Sequence, residues 1–195
     1  MISKLSKSIT DMLIRNNKIH NDDSELYHYA FFIIISEFIL FVYCLLIGFI
    51  FNVVLQALVF AVVFYVLHRF AGGFHAKTEL QCQAVTFSSF LLCIWLIKLT
   101  KQFNPVYLII TYIVCCILLI ILSPSDTPQK QVSAQEKTKF KKITILLVII
   151  CSAIVTLLLS FKSTVIFANS IIIGVILETV SVIFGRLFNY KLLSE

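Results

Sequence analysis

Between residues 29 and 97 the chain is apolar except for one long polar stretch, residues 68–82, which reads HRFAGGFHAKTELQC. The stretch decides the fold, because the apolar runs on either side of it are candidate membrane helices that it must connect. It also contains His68, His75 and Cys82, three of the four histidine and cysteine side chains most able to do chemistry. The fourth, His20, lies in the polar N-terminal segment. A thiol and an imidazole beside a Gly-Gly turn at a membrane surface indicate nucleophilic catalysis.

The composition is that of an integral membrane protein. The chain has 195 residues, of which 59% are hydrophobic and only 13% are charged. Soluble domains usually contain about 25% charged residues. We therefore predict a single membrane domain over residues 1–195. The net charge of +6 reports membrane topology before it reports partners, and we expect no nucleic-acid partner.

The hydrophobic pattern predicts an all-α fold with six transmembrane helices. In residues 1–28, Ile2, Leu5 and Ile9 recur at helical spacing among basic residues, which predicts an amphipathic helix lying on the membrane. Six apolar segments follow, and a polar loop over residues 123–142 separates the fourth from the fifth. The segments are Tyr29–Ile50, Val53–Leu67, Ala84–Ile97, Pro105–Leu122, Ile143–Phe161 and Thr164–Phe184.

Two of these segments, residues 53–67 and 84–97, are shorter than the roughly 20 helical residues that cross a bilayer. Three explanations are open from the sequence. The helices extend into the polar stretch, or the stretch dips below the lipid headgroups, or the two segments form a re-entrant hairpin. The first two recess His75 and Cys82 from the aqueous phase.

The distribution of basic residues predicts the topology. If the N-terminus is cytoplasmic and all six segments cross, the outer loops hold only Lys98, Lys101 and Lys162 of the 16 lysine and arginine residues. Cytoplasmic loops of membrane proteins are enriched in lysine and arginine. Both termini and the loops 68–83 and 123–142 are therefore expected to face the cytoplasm from a multi-pass protein of the cell membrane.

His75 and Cys82 are candidates for a catalytic dyad. An imidazole within hydrogen-bond reach of a thiol accepts its proton and later protonates the leaving amine. On one continuous helix, residues seven positions apart lie about 10.5 Å apart along the axis, so the dyad requires a break in the helix. Gly72 and Gly73 supply conformational freedom just before His75. The other five cysteines lie in apolar runs, where a cysteine usually acts as a small hydrophobe.

Two other interpretations of this stretch remain open on spacing alone. His68, His75 and Cys82, with Glu79 nearby, offer the nitrogen, sulfur and oxygen donors that zinc prefers, although their spacing matches no common zinc motif. Alternatively, the stretch is a simple cytoplasmic turn with interfacial histidines.

The run RFAGGFHA at residues 69–76, followed by Cys82, resembles the signature of the accessory gene regulator protein B family. These are membrane cysteine endopeptidases that mature quorum-sensing peptides in Gram-positive bacteria. The chain length, the early motif and the later basic loop are also similar. One departure is His68, where the resemblance leads us to expect a second basic residue before Arg69.

The resemblance implies that His75 and Cys82 form the catalytic pair, without a metal or another cofactor. Gly73 and Arg69 match residues that are important to the site, and we count their neighbours Gly72 and Lys77 with them as supporting residues. The implied partner is a precursor signalling peptide with an acidic C-terminal tail. The implied reaction passes through a thioester to a thiolactone or lactone ring. A homodimer is expected from the resemblance.

Two further groups have alternative interpretations. Intramembrane carboxylates are costly and usually face a cavity or a partner. Four interpretations of Glu37 and Glu178 are open. One of the two acids orients His75 or lines a peptide cavity, or each is paired with a neighbouring polar group, or each is protonated and structural. Alternatively, both are pathway residues of a small membrane transporter. The basic loop Lys130–Lys142 enforces topology and attracts anionic membrane lipid, or it holds the acidic tail of the precursor.

Overall fold

The computed structural model describes residues 2–74, 78–102, 105–125 and 133–193, and every element in these ranges is helical. This confirms the all-α prediction. The α-helices are α1 (Ile2–Arg15), α2 (Ser24–Ile50), α3 (Val54–Ala71), α4 (Glu79–Leu99), α5 (Pro105–Leu122), α6 (Ala134–Leu159) and α7 (Val165–Leu193).

The helices α2 to α7 are each long and apolar enough to cross a membrane, so the prediction of six spans is confirmed. Large apolar side chains such as Phe49, Ile121 and Leu157 are exposed along these helices. Exposure of so many large apolar side chains is unfavourable in water and is expected against lipid tails. The chain is a multi-pass membrane protein.

The two segments that looked too short both extend into the polar stretch. Helix α3 continues to Ala71 and α4 begins at Glu79, so residues 68–71 and 79–83 of the predicted loop are helical. The Thr78 hydroxyl caps α4 by accepting the Gln81 N–H at 3.3 Å. Cys82 therefore lies on a helix and not in the connection.

The predicted loop 123–142 is also shorter than expected. Helix α6 begins at Ala134, behind a capping box in which the Ser133 hydroxyl accepts the Glu136 N–H and the Glu136 carboxylate accepts the Ser133 N–H. Such a box satisfies two backbone donors at a helix start. The lysines of residues 137–142 consequently lie on the first turns of α6.

The chain divides into two compact units, Met1–Tyr43 and Cys44–Glu195. In the first unit, α1 buries Ser6 and Thr10, whose hydroxyls donate to carbonyls of their own helix. The His28 ring nitrogen Nε2 lies 3.2 Å from the carbonyl oxygen of Ser3, which joins the start of α2 to α1. The predicted N-terminal amphipathic helix is present and ends at Arg15.

Helix α7 is the centre of the second unit, packed against α3, α4, α5 and α6. Of the apolar stretch of α7, 61% is buried inside the protein, compared with 33% or less of the corresponding stretch in each other span. The close packing depends on small residues, because a Cβ at Gly174 would lie 3.2 Å from a methyl group of Val63. Small residues let membrane helices approach closely where no hydrophobic force drives them together.

The helix ends of the second unit meet at two opposite surfaces. At one surface the Ser125 N–H, just after α5, donates to the carbonyl of Ala71 at the end of α3. At the other, the Lys98 ammonium lies 5.5 Å from the centre of the Phe51 ring. The ends of α3 and α5 are therefore on one side and the ends of α2 and α4 on the other, as six successive crossings require.

The turn between α2 and α3 gives a test of this packing. A Cβ at Gly48 would lie 2.9 Å from the Cβ of Ala57 and 3.0 Å from the Cα of Val54. We expect Gly48→Leu to force the helices apart and to lower the stability by about 1–3 kcal/mol, measured as the unfolding midpoint in detergent. Phe49→Leu is the control, because Phe49 is 74% exposed; equal midpoints for the two variants would contradict the close approach.

Candidate functional site

Cys82 lies in the first turn of α4 and is partly buried. Its backbone N–H donates to the Thr78 carbonyl at 3.0 Å, and its carbonyl accepts the Thr86 hydroxyl at 2.9 Å. The backbone of this nucleophile candidate is therefore fixed by regular helical hydrogen bonds. The other five cysteines lie inside apolar helices, and four of them are buried.

His75 and Lys77 lie outside the described residues, and so does Lys130. The geometry of the His75–Cys82 pair therefore stays a prediction. The structure does describe the backbone up to Phe74, which directly precedes His75, and from Thr78 onward.

The backbone that leaves α3 is confined by the end of α5. Gly72 has a φ of +71° and its N–H donates to the His68 carbonyl at 3.1 Å. This left-handed conformation favours glycine. A Cβ at Gly72 would also collide with the carbonyl oxygen of Ser125. Any larger residue at position 72 is therefore both strained and obstructed.

The next two residues are held against α7. Gly73 is buried, and a Cβ there would collide with the His68 ring and the Ser181 hydroxyl. A Cβ at Gly185 would lie 2.6 Å from the carbonyl carbon of Gly73. The Phe74 N–H donates to the Ser181 hydroxyl oxygen at 3.1 Å. We call residues 72–74 the clamped segment.

The His68 ring on which Gly73 rests is itself held from two sides. Its Nδ1 lies 3.0 Å from Oε2 of Glu178, whose side chain is fully buried, whereas the His68 side chain is 28% exposed. The Phe64 ring stacks on the imidazole with 5.2 Å between centroids. The second carboxylate oxygen of Glu178, Oε1, has no hydrogen-bond partner among the described residues.

Sequence reasoning identified Glu178 but not its contact with His68, and it missed Ser181 and Gly185. A signal for this group was available. Gly174, Glu178, Ser181 and Gly185 follow one another at intervals of four, three and four residues, which places them on one face of a helix. That face of α7 is the one in contact with α3 and the clamped segment.

The remaining predicted residues lie elsewhere. The Arg69 side chain is exposed on the last turn of α3, and Glu37 is partly buried on α2 in the first unit. No group of three metal-binding side chains occurs among the residues that the structure describes. The zinc interpretation requires His75, which is outside them, and stays a prediction.

Six membrane-spanning helices and a clamped turn between α3 and α4 define a multi-pass membrane protein with a polar site at one end of its helix bundle. The model of the accessory gene regulator B family matches residues 6–182 of this chain. The chain belongs to this family, which confirms the resemblance noted in the sequence.

Relatives of known name match over most of the chain. An AgrB-like protein of Clostridium perfringens (strain SM101 / Type A) is 23% identical over 186 residues, covering 91% of this chain and 87% of the relative. The accessory gene regulator protein B of Staphylococcus haemolyticus (strain JCSC1435) is 27% identical over 134 residues, covering 69% of this chain and 68% of the relative. No solved structure gives a significant match.

The pair of His68 and Glu178 makes a prediction about stability. His68→Ala leaves the buried carboxylate without its hydrogen-bond donor, and we expect a loss of about 3 kcal/mol, the lower end of the range for breaking a buried pair because His68 is partly exposed. Glu178→Gln keeps an oxygen acceptor and removes the buried charge, so its unfolding midpoint in detergent should stay near that of the wild type. If His68→Ala unfolds with the wild-type midpoint, the contact is not stabilising.

Proposed function

We propose that this protein is a membrane cysteine endopeptidase that cuts a precursor peptide near its C-terminal tail and closes the released part into a ring. The observation that carries the proposal is the placement of Cys82. It is partly exposed in the first turn of α4, four residues after the connection whose first half is the clamped segment. Family membership and the HRFAGGFHA run support the same assignment.

In the proposed first step, His75 accepts the thiol proton of Cys82, and the sulfur attacks the peptide carbonyl that precedes the acidic tail. The C–N bond breaks, His75 returns the proton to the leaving amine, and the substrate remains as a thioester on Cys82. Division of labour between a nucleophile and an adjacent base is the usual route of acyl transfer.

In the proposed second step, a cysteine or serine inside the bound peptide attacks the thioester. A new thioester or ester closes the ring as the bond to the Cys82 sulfur breaks. His75 takes the proton of the attacking thiol or hydroxyl and passes it to the departing Cys82 sulfur. Exchange between two thioesters is nearly isoenergetic, so hydrolysis competes unless water is excluded. The partial burial of Cys82 supports such exclusion.

The same proposal places the site on the cytoplasmic side of the cell membrane, together with both termini, because the basic residues concentrate at this end. The Phe70 and Phe140 rings are in edge contact with centroids 5.9 Å apart, so the lysine-rich start of α6 packs beside the end of α3. Together with the exposed Arg69, these lysines offer a binding surface for the acidic tail of the precursor and for anionic lipid. A homodimer is part of the proposal.

The direct test is processing of a precursor. The protein is co-expressed with a short peptide, encoded by a neighbouring reading frame, that has an amphipathic start, a central cysteine or serine and an acidic tail. We expect wild type to release a cyclic product, and Cys82→Ala and His75→Ala to lose it by at least 10³-fold, since removing either member of such a pair abolishes nucleophilic catalysis. Product from Cys82→Ala, detected by mass spectrometry, would overturn the proposal.

Inhibitors separate the thiol mechanism from the zinc interpretation. Iodoacetamide should abolish processing by purified protein, and a chelator should leave it unchanged. Cys151→Ser is the matched control for alkylation, because Cys151 is the other partly exposed cysteine; this variant should remain active and remain sensitive to iodoacetamide. Loss of activity with the chelator alone would favour the zinc enzyme.

The basic start of α6 makes a separate prediction. Lys139, Lys141 and Lys142 are exposed on the first turns of α6. Replacing these three residues by Gln should raise the KM for the precursor several-fold at low salt and less at 0.5 M salt, because exposed charges are screened. Lys162→Gln is the control, since Lys162 lies at the opposite end of the helices. A KM that is unchanged at low salt would leave these lysines only a topological role.

A further inference from the structure

The contacts of the clamped segment are more specific than a connection between two membrane helices requires. Its backbone meets three separate elements within three residues: the end of α5 through Ser125, the α3 side chain His68, and the α7 residues Ser181 and Gly185. A turn that only links α3 to α4 at the membrane surface could be solvated by water. Here the peptide of Gly73 is buried instead.

Ser181 acts on the segment by a single directional contact. Its hydroxyl oxygen accepts the Phe74 N–H at 3.1 Å, which fixes the orientation of the peptide plane between Gly73 and Phe74. The Phe74 ring also packs edge-on against Phe188 of the same helix, with centroids 6.0 Å apart. Both the backbone and the side chain of Phe74 are therefore in contact with α7.

Glu178 acts on the segment through His68. The carboxylate fixes the imidazole by one hydrogen bond of 3.0 Å, and the ring in turn fills the space in which a Cβ of residue 73 would lie. Burying a carboxylate is expensive, and one hydrogen bond offsets only part of the cost. An apolar pair of similar volume often stabilises a helix contact as well as a buried polar pair does, so stability alone does not account for the polar pair. What the hydrogen bond adds is a defined orientation of the ring beside Gly73.

We propose that Ser181, acting through the Phe74 amide, and Glu178, acting through the His68 ring, are positioning residues that set the direction in which the chain leaves Phe74 toward His75. The inference rests on the proposed function, because what they position is the base that activates Cys82. Small errors in such an alignment are costly: a displacement of about 1 Å can reduce a rate by as much as ~10²-fold.

The test uses a probe that requires no precursor. Iodoacetamide reacts with the thiolate of a cysteine, so the second-order rate of Cys82 alkylation in the full-length protein reports activation by its base. His75→Ala sets the rate without that base. We expect Ser181→Ala to slow Cys82 alkylation by roughly 10-fold or more, on the scale expected for a misaligned base, and Glu178→Ala to do the same. Mass spectrometry of the peptide containing Cys82 gives the rate.

The matched control is Thr179→Ala. Thr179 is a buried hydroxyl residue on the same helix, two positions from Ser181, but its hydroxyl donates to the Cys115 carbonyl on α5. Its loss should lower the unfolding midpoint and leave the Cys82 alkylation rate within about twofold of wild type, because the change misaligns nothing at the dyad.

A second control is Glu178→Gln, which keeps an acceptor for Nδ1–H and should restore most of the rate lost in Glu178→Ala.

The outcomes separate the two proposals. Slow alkylation in His75→Ala, Ser181→Ala and Glu178→Ala, but not in Thr179→Ala or Glu178→Gln, supports positioning. A slow His75→Ala with Ser181→Ala and Glu178→Ala at the wild-type rate overturns positioning and leaves the dyad intact. A His75→Ala variant that alkylates like wild type overturns the proposed dyad, and the positioning proposal with it.

Once a precursor has been identified, Ser181→Ala should lower kcat with an unchanged KM. A change in KM alone would also overturn the inference.

Discussion

The contact between the His68 imidazole and the Glu178 carboxylate is the constraint on which this end of the protein depends. It joins the last turns of α3 to the central helix α7 through a 3.0 Å hydrogen bond to a fully buried acid. A carboxylate inside a membrane domain is tolerated only with a partner or a cavity. The imidazole occupies the space beside Gly73 that a side chain at position 73 would need, so only glycine fits there.

Small residues on α7 also hold α3 and the clamped segment in place, because they allow close packing. In lipid there is no hydrophobic force between helices, so association depends on interatomic contact and interhelical hydrogen bonds. Gly174 lets α7 approach Val63 of α3, and Gly185 lets the same helix approach the backbone of Gly73. The hydroxyl of Ser181 lies between them on that face and adds a direct hydrogen bond. One face of α7 thus carries glycines, which allow close approach, and polar side chains, whose hydrogen bonds orient the groups that pack against them.

The histidine at position 68 departs from the pair of basic residues that the family resemblance led us to expect. The structure gives a physical account of the exchange. What the buried carboxylate needs is a hydrogen-bond donor at its oxygen, and an imidazole Nδ1–H meets that need as a basic side chain would. The ring adds a flat surface that stacks on Phe64 and receives Gly73. The adjacent Arg69 side chain is exposed, and the contact with Glu178 is made by His68.

The sequence by itself determined the number of membrane helices, their approximate positions and the family, because long apolar runs and a specific run of residues are local signals. The sequence analysis placed Cys82 in a loop, because the neighbouring Gln81 and Gln83 are polar. In the structure α4 already begins at Glu79, behind the Thr78 cap. The tertiary structure alone decided that Glu178 meets His68 across 110 positions of sequence and that Ser181 and Gly185 receive the clamped segment. Periodicity shows that residues share a helix face, but which neighbour that face meets is set only when α3, α5 and α7 pack together.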